Sequence, residues 1–299
     1  MERRGVLVTG ATGFIGRNLA RSLRAKGIPV AAIVRPSSNV ELLQSIGVSC
    51  HAHDGDADHL AALMDEIAPT TVYHLASRFV AEHRPADIES LIGTNLHFST
   101  QLVDAMARTG VDRLVNAGTS WESLSNAVAE PSCLYAATKA AFGHVLDFYR
   151  SAHSLRVVTL RLYDTFGPDD DRPKLMALLK RFAASGEPLA MSAGAQKICP
   201  LFISDVVTGF QQAAAEVALL APGEGHLYAL PGPECVTLRE FVARFARACG
   251  KAPEIRWGER PYRAREVMEP WRGPVLPGWQ AQVSLDEGLR LTLEGAPGV

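Results

Sequence analysis

Val6-Leu7-Val8-Thr9-Gly10-Ala11-Thr12-Gly13-Phe14-Ile15-Gly16 reads as a short apolar strand, a glycine-rich turn and the start of a helix. The helix predicted over Arg17–Lys26 keeps Leu19, Ala20 and Leu23 on one face and stops at Gly27. A strand that enters a helix through such a turn makes a seat for a dinucleotide pyrophosphate. Gly10 permits the tight turn, Gly13 lets backbone approach the phosphates, and Gly16 lets helix lie close on strand. The helix N-terminus adds N–H donors and partial positive charge. Glycines alone say little, but here the flanking strand and helix are both legible.

Outward from this unit, strands and helices alternate. Apolar runs at Val30–Val34, Val48–His53, Thr71–Leu75, Leu114–Ala117 and Val157–Leu162 predict buried strands. Helices are predicted over Val40–Ile46, Ala57–Ile67, Ile88–Arg108 and Cys133–His153. This alternation predicts an α/β fold, a doubly wound parallel sheet of Rossmann type covered by helices on both faces. After about Phe166 prolines crowd the sequence, and four helices remain at Lys174–Ala184, Asp205–Ala218, Leu238–Cys249 and Leu285–Leu291. The expected organisation is a dinucleotide-binding domain over 1–166, with 204–230 returning to it. A smaller, loop-rich C-terminal substrate-binding region then comprises 167–203 and 231–299, lying over the carboxyl ends of the strands.

The chain has 299 residues, 30 Lys and Arg against 32 Asp and Glu, so it can bury a large core and carries almost no net charge. That balance speaks against a nucleic-acid or membrane-surface partner. Cys50, Cys133, Cys199, Cys235 and Cys249 are scattered, odd in number and never paired as CxxC. They read as reduced thiols, with no disulfide or zinc framework and no metal site. Met1-Glu2-Arg3-Arg4 runs straight into the first strand, with neither a secretory leader nor a bilayer-length apolar run. A cytoplasmic protein is expected.

The end of the second strand meets the adenosine ribose in such folds. An acid there takes the 2′-hydroxyl, whereas a cation accommodates a 2′-phosphate. The residue is Arg35, followed by Ser37, Ser38 and Asn39, which predicts NADP(H) over NAD(H). Asp54, with Gly55 after it, is placed to take the adenine amino group; a plain turn aspartate is the other reading.

Tyr135 and Lys139 stand four apart on the helix and so share a face. An ammonium beside a phenol is expected to lower the tyrosine pKa and fit it for proton transfer. One element upstream, Asn116-Ala117-Gly118-Thr119-Ser120 puts the Thr119 hydroxyl at a strand's carboxyl end.

With these residues assembled, the chain resembles the extended short-chain dehydrogenase/reductase family. The matching features are the Gly10/Gly13/Gly16 turn, His74-Leu75-Ala76, Asn95, Thr119, the Tyr135/Lys139 pair, Arg161 to Pro168, and Asp205. Within the family it is most similar to nucleotide-sugar 4-ketoreductases of the CDP-abequose synthase type. That similarity rests on Asp54-Gly55-Asp56, Gly118-Thr119-Ser120-Trp121, Arg172-Pro173-Lys174-Leu175 and Leu276-Pro277-Gly278-Trp279. The resemblance implies that Tyr135 donates a proton to a ketone oxygen, Thr119 orients the carbonyl, and Lys139 holds the nicotinamide ribose. It implies cofactor contacts at Gly10, Thr12, Gly13, Phe14, Ile15, Gly16, Arg35, Ser37, Ser38, Asn39, Asp54, Gly55, Leu75, Ala76, Ser77, Asn95, Tyr135 and Lys139. Candidate substrate contacts are Arg78, Ser120, Trp121, Asp164, Arg172, Lys174 and Arg263.

Three departures narrow the activity. Dehydratases of this family carry Asp-Glu directly after the catalytic threonine; Ser120 and Trp121 cannot replace them. Asp164 stands where the family's motif has asparagine, and Ile198 where it often has arginine, both removing help with a pyrophosphate. Arg172, Lys174, Arg263 or Arg265 would have to supply that help. Trp121, Trp271 and Trp279 either line a broad apolar pocket or fill core. The expected activity is NADPH-dependent reduction of the 4-keto group of a dTDP- or CDP-4-keto-6-deoxyhexose. Alternatives are reduction of a flat polyketide or aglycone ketone, 4-epimerisation with retained NAD, and a non-enzymatic dinucleotide-binding role. By analogy with the family, Ile88–Arg108 and Cys133–His153 would pair two copies into a homodimer.

Overall fold

The computed structural model describes residues 4–124 and 130–295. Its first half alternates as the apolar runs require: β1 (Val6–Thr9), α1 (Phe14–Ala25), β2 (Val30–Val34), α2 (Glu41–Ser45), β3 (Ser49–Ala52), α3 (Ala57–Ile67) and β4 (Thr71–His74). Next come α4 (Ile88–Ile92), a π-helical stretch (Gly93–Phe98), α5 (Ser99–Thr109), β5 (Arg113–Thr119), α6 (Leu134–His153) and β6 (Arg156–Leu162). The second half holds β7 (Thr165–Phe166), α7 (Leu175–Ser185), β8 (Leu189–Met191), β9 (Lys197–Ile198), β10 (Leu201–Phe202) and α8 (Ile203–Leu219). It closes with β11 (Gly225–Leu230), β12 (Val236–Thr237), α9 (Leu238–Cys249), β13 (Ile255–Trp257) and α10 (Leu285–Glu294).

Seven strands form one parallel sheet in the order β11-β6-β5-β4-β1-β2-β3. The order reverses at β1, which lies between β2 and β4, and a crevice opens there beyond the carboxyl ends of the strands. Side chains alternate across the sheet. Val6 and Val8 join a core with α1 and α8 through Leu19, Leu23, Val206 and Phe210. Leu7, between them, faces the other core, built from Leu60 and Met64 of α3, Leu102 and Met106 of α5, and Phe142 and Leu146 of α6. Because both faces are covered at the centre of the sheet, β1 and β2 are buried and apolar nearly throughout, while the edge strands β3 and β11 carry exposed and polar residues. After leaving the sheet at β7 the chain comes back: α8 packs over β5 and β6, and β11 pairs with β6.

Two expectations change. The helix over Ile88–Arg108 is interrupted by π-helical turns at Gly93–Phe98. The cysteines are not all free, for Cys199 and Cys235 form a disulfide across a separation of 36 residues, while Cys50, Cys133 and Cys249 remain thiols. Sequence spacing hid this pair because the bond joins the loop before β10 to the loop before β12, which the β9–β12 ladder brings together. Among the described residues, no helix is long and apolar enough to cross a membrane.

Candidate active site

At the reversal point the β1–α1 turn takes the shape its glycines allow. Gly10 has φ +70°, and a Cβ there would lie 2.6 Å from the Ala76 backbone nitrogen. A Cβ on Gly16 would lie 2.2 Å from the Gly10 carbonyl oxygen, so α1 can lie this close to β1 only with glycine. A relay fixes the neighbouring loop. The Ala76 N–H donates to Thr9 Oγ1 (3.2 Å), Thr9 Oγ1 meets His74 Nδ1 (2.7 Å), and His74 Nε2 meets Ser99 Oγ (2.8 Å), which donates to the Thr94 carbonyl (3.3 Å). This order satisfies every polar atom only with a neutral imidazole. Burial pushes the His74 pKa down to about 3, helped by the Lys139 charge.

A cleft of about 710 Å³ lies over the strand ends. Gly10, Gly13, Phe14, Ile15, Gly16, Leu75, Ser77, Thr119, Ser120, Trp121, Tyr135, Lys139, Asp164, Arg172, Lys174 and Arg263 all line it. Thr119 ends β5, while Tyr135 and Lys139 occupy the first turns of α6. The Ser77 and Thr119 side chains pull the Tyr135 pKa down. Thr119 Oγ1 accepts from the Trp121 N–H (3.3 Å), which leaves its own proton to donate. Lys139 is 5% exposed, and its ammonium has no hydrogen-bond partner.

The expectation that Lys139 lowers the Tyr135 pKa is not met. The phenol is held well above its ordinary range, first by desolvation and then by the Glu122 carboxylate, against the pull of Ser77 and Thr119. Lys139 is brought down to about 8, because burial outweighs the upward pull of Glu122. Near pH 7 the pair therefore stands as phenol and ammonium.

The remaining predicted residues lie elsewhere. Thr12 and Ala76 are off the cleft wall. Arg35, Ser37 and Asn39 are exposed after β2, with Ser38 partly covered; the Ser38 N–H donates to the Arg35 carbonyl (2.9 Å), and Asn39 Oδ1 accepts from the Glu41 N–H. Asp54 is exposed, accepts from the Asp56 N–H and lies 3.6 Å from His59, while the Gly55 carbonyl accepts from Gln101. Asn95 is fully buried and spent within the protein: Nδ2 donates to the Arg78 carbonyl and Thr138 Oγ1, and Oδ1 accepts from the Arg78 N–H and Ser77 Oγ. It holds the Ser77–Arg78 loop rather than facing the cleft. Arg78 is half exposed and reaches Asp87 at 3.8 Å.

The cations expected to hold a pyrophosphate are largely engaged. Arg172 makes a two-pronged bond to Asp170 (2.6 and 2.7 Å), and Arg263 makes one to Glu266 (3.0 and 2.6 Å). Each cation also lies over a ring: Arg172 over Phe14 (4.5 Å), Lys174 over Phe79 (4.9 Å) and Arg263 over Trp121 (4.7 Å). Burial and Arg172 push the Lys174 ammonium down, and Asp164 and Asp170 oppose this. Arg265 hydrogen-bonds the Pro131 carbonyl and reaches Glu130. Of the tryptophans only Trp121 lines the cleft. Trp271 is buried under Arg161, and Trp279 donates to the Asp205 carbonyl.

The sequence reading missed two side chains. Phe79 packs edge-on against Tyr135 (5.0 Å) and beside Trp121 (5.6 Å); no motif marks it. Glu122 is buried beneath Thr119. Its signal was present, since Thr119-x-x-Glu122 is a capping-box pattern.

A glycine turn made for a pyrophosphate and a Thr–Tyr–Lys cluster in one cleft define the class, a dinucleotide-dependent oxidoreductase. The residues fit a nicotinamide dinucleotide, since Gly10 and Gly16 allow a close turn against Ala76 and the Gly10 carbonyl that side chains would break, and the Lys139 ammonium is buried without a partner. The model of the NAD dependent epimerase/dehydratase family matches residues 6–226. Sterol demethylase protein B of Methylococcus capsulatus is 31% identical over 242 residues, 77% of this chain and 70% of that protein. CDP-abequose synthase of Yersinia pseudotuberculosis is 27% identical over 203 residues, 68% of this chain and 70% of that protein. The structure of Thermus thermophilus UDP-glucose 4-epimerase in complex with NAD aligns with a TM-score of 0.81 and 27% identity, over 97% of this chain and 98% of that one. The chain belongs to the NAD dependent epimerase/dehydratase family, and it is an NAD(P)-dependent enzyme of the short-chain dehydrogenase/reductase type.

Proposed function

We propose that the protein reduces the 4-keto group of a nucleotide-activated 6-deoxyhexose with NADPH. The observation that carries this is that Tyr135, Thr119, Ser77 and Lys139 line the same cleft that the glycine turn enters, with the phenol pushed up in pKa by burial. Residues of the Gly10–Gly16 turn hold the pyrophosphate, and Lys139 takes the nicotinamide ribose. A bound nicotinamide dinucleotide supplies hydride to the carbonyl carbon. Thr119 donates to the ketone oxygen and aligns it, and Tyr135 delivers its proton there as the oxygen gains charge. A protonated donor suits reduction; alcohol oxidation at the same centre would need the phenolate. Lys174 supplies positive charge to the diphosphate at the cleft wall. The similarity to CDP-abequose synthase supports a nucleotide sugar. Arg35, with Ser37, Ser38 and Asn39 following it and no acid at this strand end, supports NADPH.

Ketone-dependent oxidation of NADPH and NADH by the purified protein tests this. With CDP- or dTDP-4-keto-6-deoxyhexose, turnover with NADPH should exceed that with NADH. Arg35→Ala should raise the KM for NADPH several-fold and leave NADH unchanged; equal loss with both removes the NADPH assignment. A second reading keeps the chemistry and changes the substrate to a flat polycyclic ketone. The sterol demethylase protein B similarity and the Phe79 and Trp121 lining favour it. Turnover of such ketones with none of nucleotide sugars would replace the first reading. Interconversion of UDP-sugars without added reductant would instead establish an NAD-retaining epimerase.

A further inference from the structure

We propose that Glu122 is a positioning residue of this centre: its carboxylate fixes Thr119 as a donor and sets a negative charge against the Tyr135–Lys139 pair. This deepens the ketoreductase reading and rests on it for the roles of those three residues. Glu122 is 6% exposed and follows β5 in a single 3-10 turn. Its Oε1 accepts from the Thr119 N–H at 2.7 Å, and the Thr119 hydroxyl oxygen accepts in return from the backbone of the turn. This reciprocal pair locks both the backbone and the Oγ1 lone pairs of Thr119, so the hydroxyl proton is directed outward. The other oxygen, Oε2, accepts from Arg161 Nη2 at 3.1 Å. Arg161 also donates to Ser123 Oγ (3.0 Å) and stacks on Trp271 (4.6 Å). Glycine at 118 leaves space for the pair, for a Cβ there would lie 3.0 Å from Glu122 Oε1 and 3.2 Å from Arg161 Cγ.

A buried ion pair is weak ground for stability, because desolvation offsets the attraction. Its place under the catalytic threonine gives it another use. The titratable groups around Glu122 are Arg161 from β6 and Tyr135 and Lys139 from α6; Cys133, just before α6, faces Tyr135, and His74 of β4, beyond Lys139, stays neutral. The Glu122 charge raises both Tyr135 and Lys139. It opposes the burial that would otherwise strip Lys139 of its proton near neutrality. Removing that charge lowers both, and the upper pH limit of ketone reduction, which needs phenol and ammonium, moves to lower pH.

The Lys139 titration can be read without substrate or cofactor, by pH-dependent competitive acetylation of the full chain with acetic anhydride and peptide mass spectrometry. In Glu122→Gln, which keeps the acceptor and loses the charge, the midpoint should fall by about half a unit or more. The alkaline limb of kcat/KM should fall with it. An unmoved midpoint in folded Glu122→Gln overturns the electrostatic role, as does a uniform loss of kcat with a fixed limb. If that variant fails to fold, the double variant Glu122→Gln/Arg161→Met is compared with Arg161→Met alone, and the Lys139 midpoint must be lower in the double variant. Glu122→Ala, which also frees the Thr119 N–H, should lose at least about a further tenfold in kcat relative to Glu122→Gln; equal kcat in the two overturns the orienting role. A shifted Lys139 midpoint in a protein that reduces no ketone would remove the ketoreductase reading and leave the charge effect standing.

Discussion

Tyr135 holds its proton because protein encloses it and a carboxylate stands nearby, and a donor must be in that state before hydride arrives. Tyr135→Phe removes only the hydroxyl and leaves the ring against Phe79. It should cut kcat by at least about 10²-fold while dinucleotide affinity changes little, as steady-state rates and cofactor titration would show. The Tyr–Lys pair was legible because helical spacing alone puts i and i+4 on one face. Its electrostatics were not, since they follow first from the burial of both groups and then from Glu122, whose capping-box pattern does not say which side chains its carboxylate faces. Asn95 shows the same limit: its type and place on the helix suggest a ligand contact, yet four internal hydrogen bonds occupy it.

At the scale of elements, the β1–α1 unit was read correctly from its glycines, because a close approach leaves a compositional mark. Gly16→Ala would force a methyl to 2.2 Å from the Gly10 carbonyl. We expect about 1–3 kcal/mol of lost stability and loss of dinucleotide affinity, measured by thermal unfolding and cofactor titration. The π-helical turns at Gly93–Phe98 left no such mark; Asn95 within them bonds Thr138, and Ser99 just after them meets His74. The His74 relay has a measurable consequence. With a folded pKa of about 3, below that of an unfolded histidine, the unfolded chain binds more protons between about pH 6.5 and 3. Stability is therefore full above pH 6.5 and falls on acidification by about 1.4 kcal/mol per unit. Denaturant unfolding across that range should show a flatter profile for His74→Gln than for the unaltered chain.

For the whole molecule, the parallel sheet was legible from alternating apolar runs and α7, α9 and α10 from helical spacing, whereas the short strands over the cleft were not. Strands β7 to β10, β12 and β13 are two or three residues long, too short to carry a period. The Cys199–Cys235 disulfide belongs to that region. Closing a loop of this length is worth roughly 3–4 kcal/mol through the unfolded chain. Reduction, or Cys199→Ser with Cys235→Ser, should lower Tm by about 5 °C by differential scanning calorimetry, and the double variant and the reduced protein should melt alike.

The path of the chain through the edge strand also bears on how such enzymes diversify. Since residues 203–230 rejoin the framework, what lies over the crevice arrives as two separate excursions, 167–202 and 231–284, and each contributes one half-cystine to the bond between them. Recombination with a distant homologue at one junction after β6 would mate mismatched halves. Grafting both excursions of this chain together onto such a homologue would carry the bonded pair over as one unit and leave the framework strands untouched.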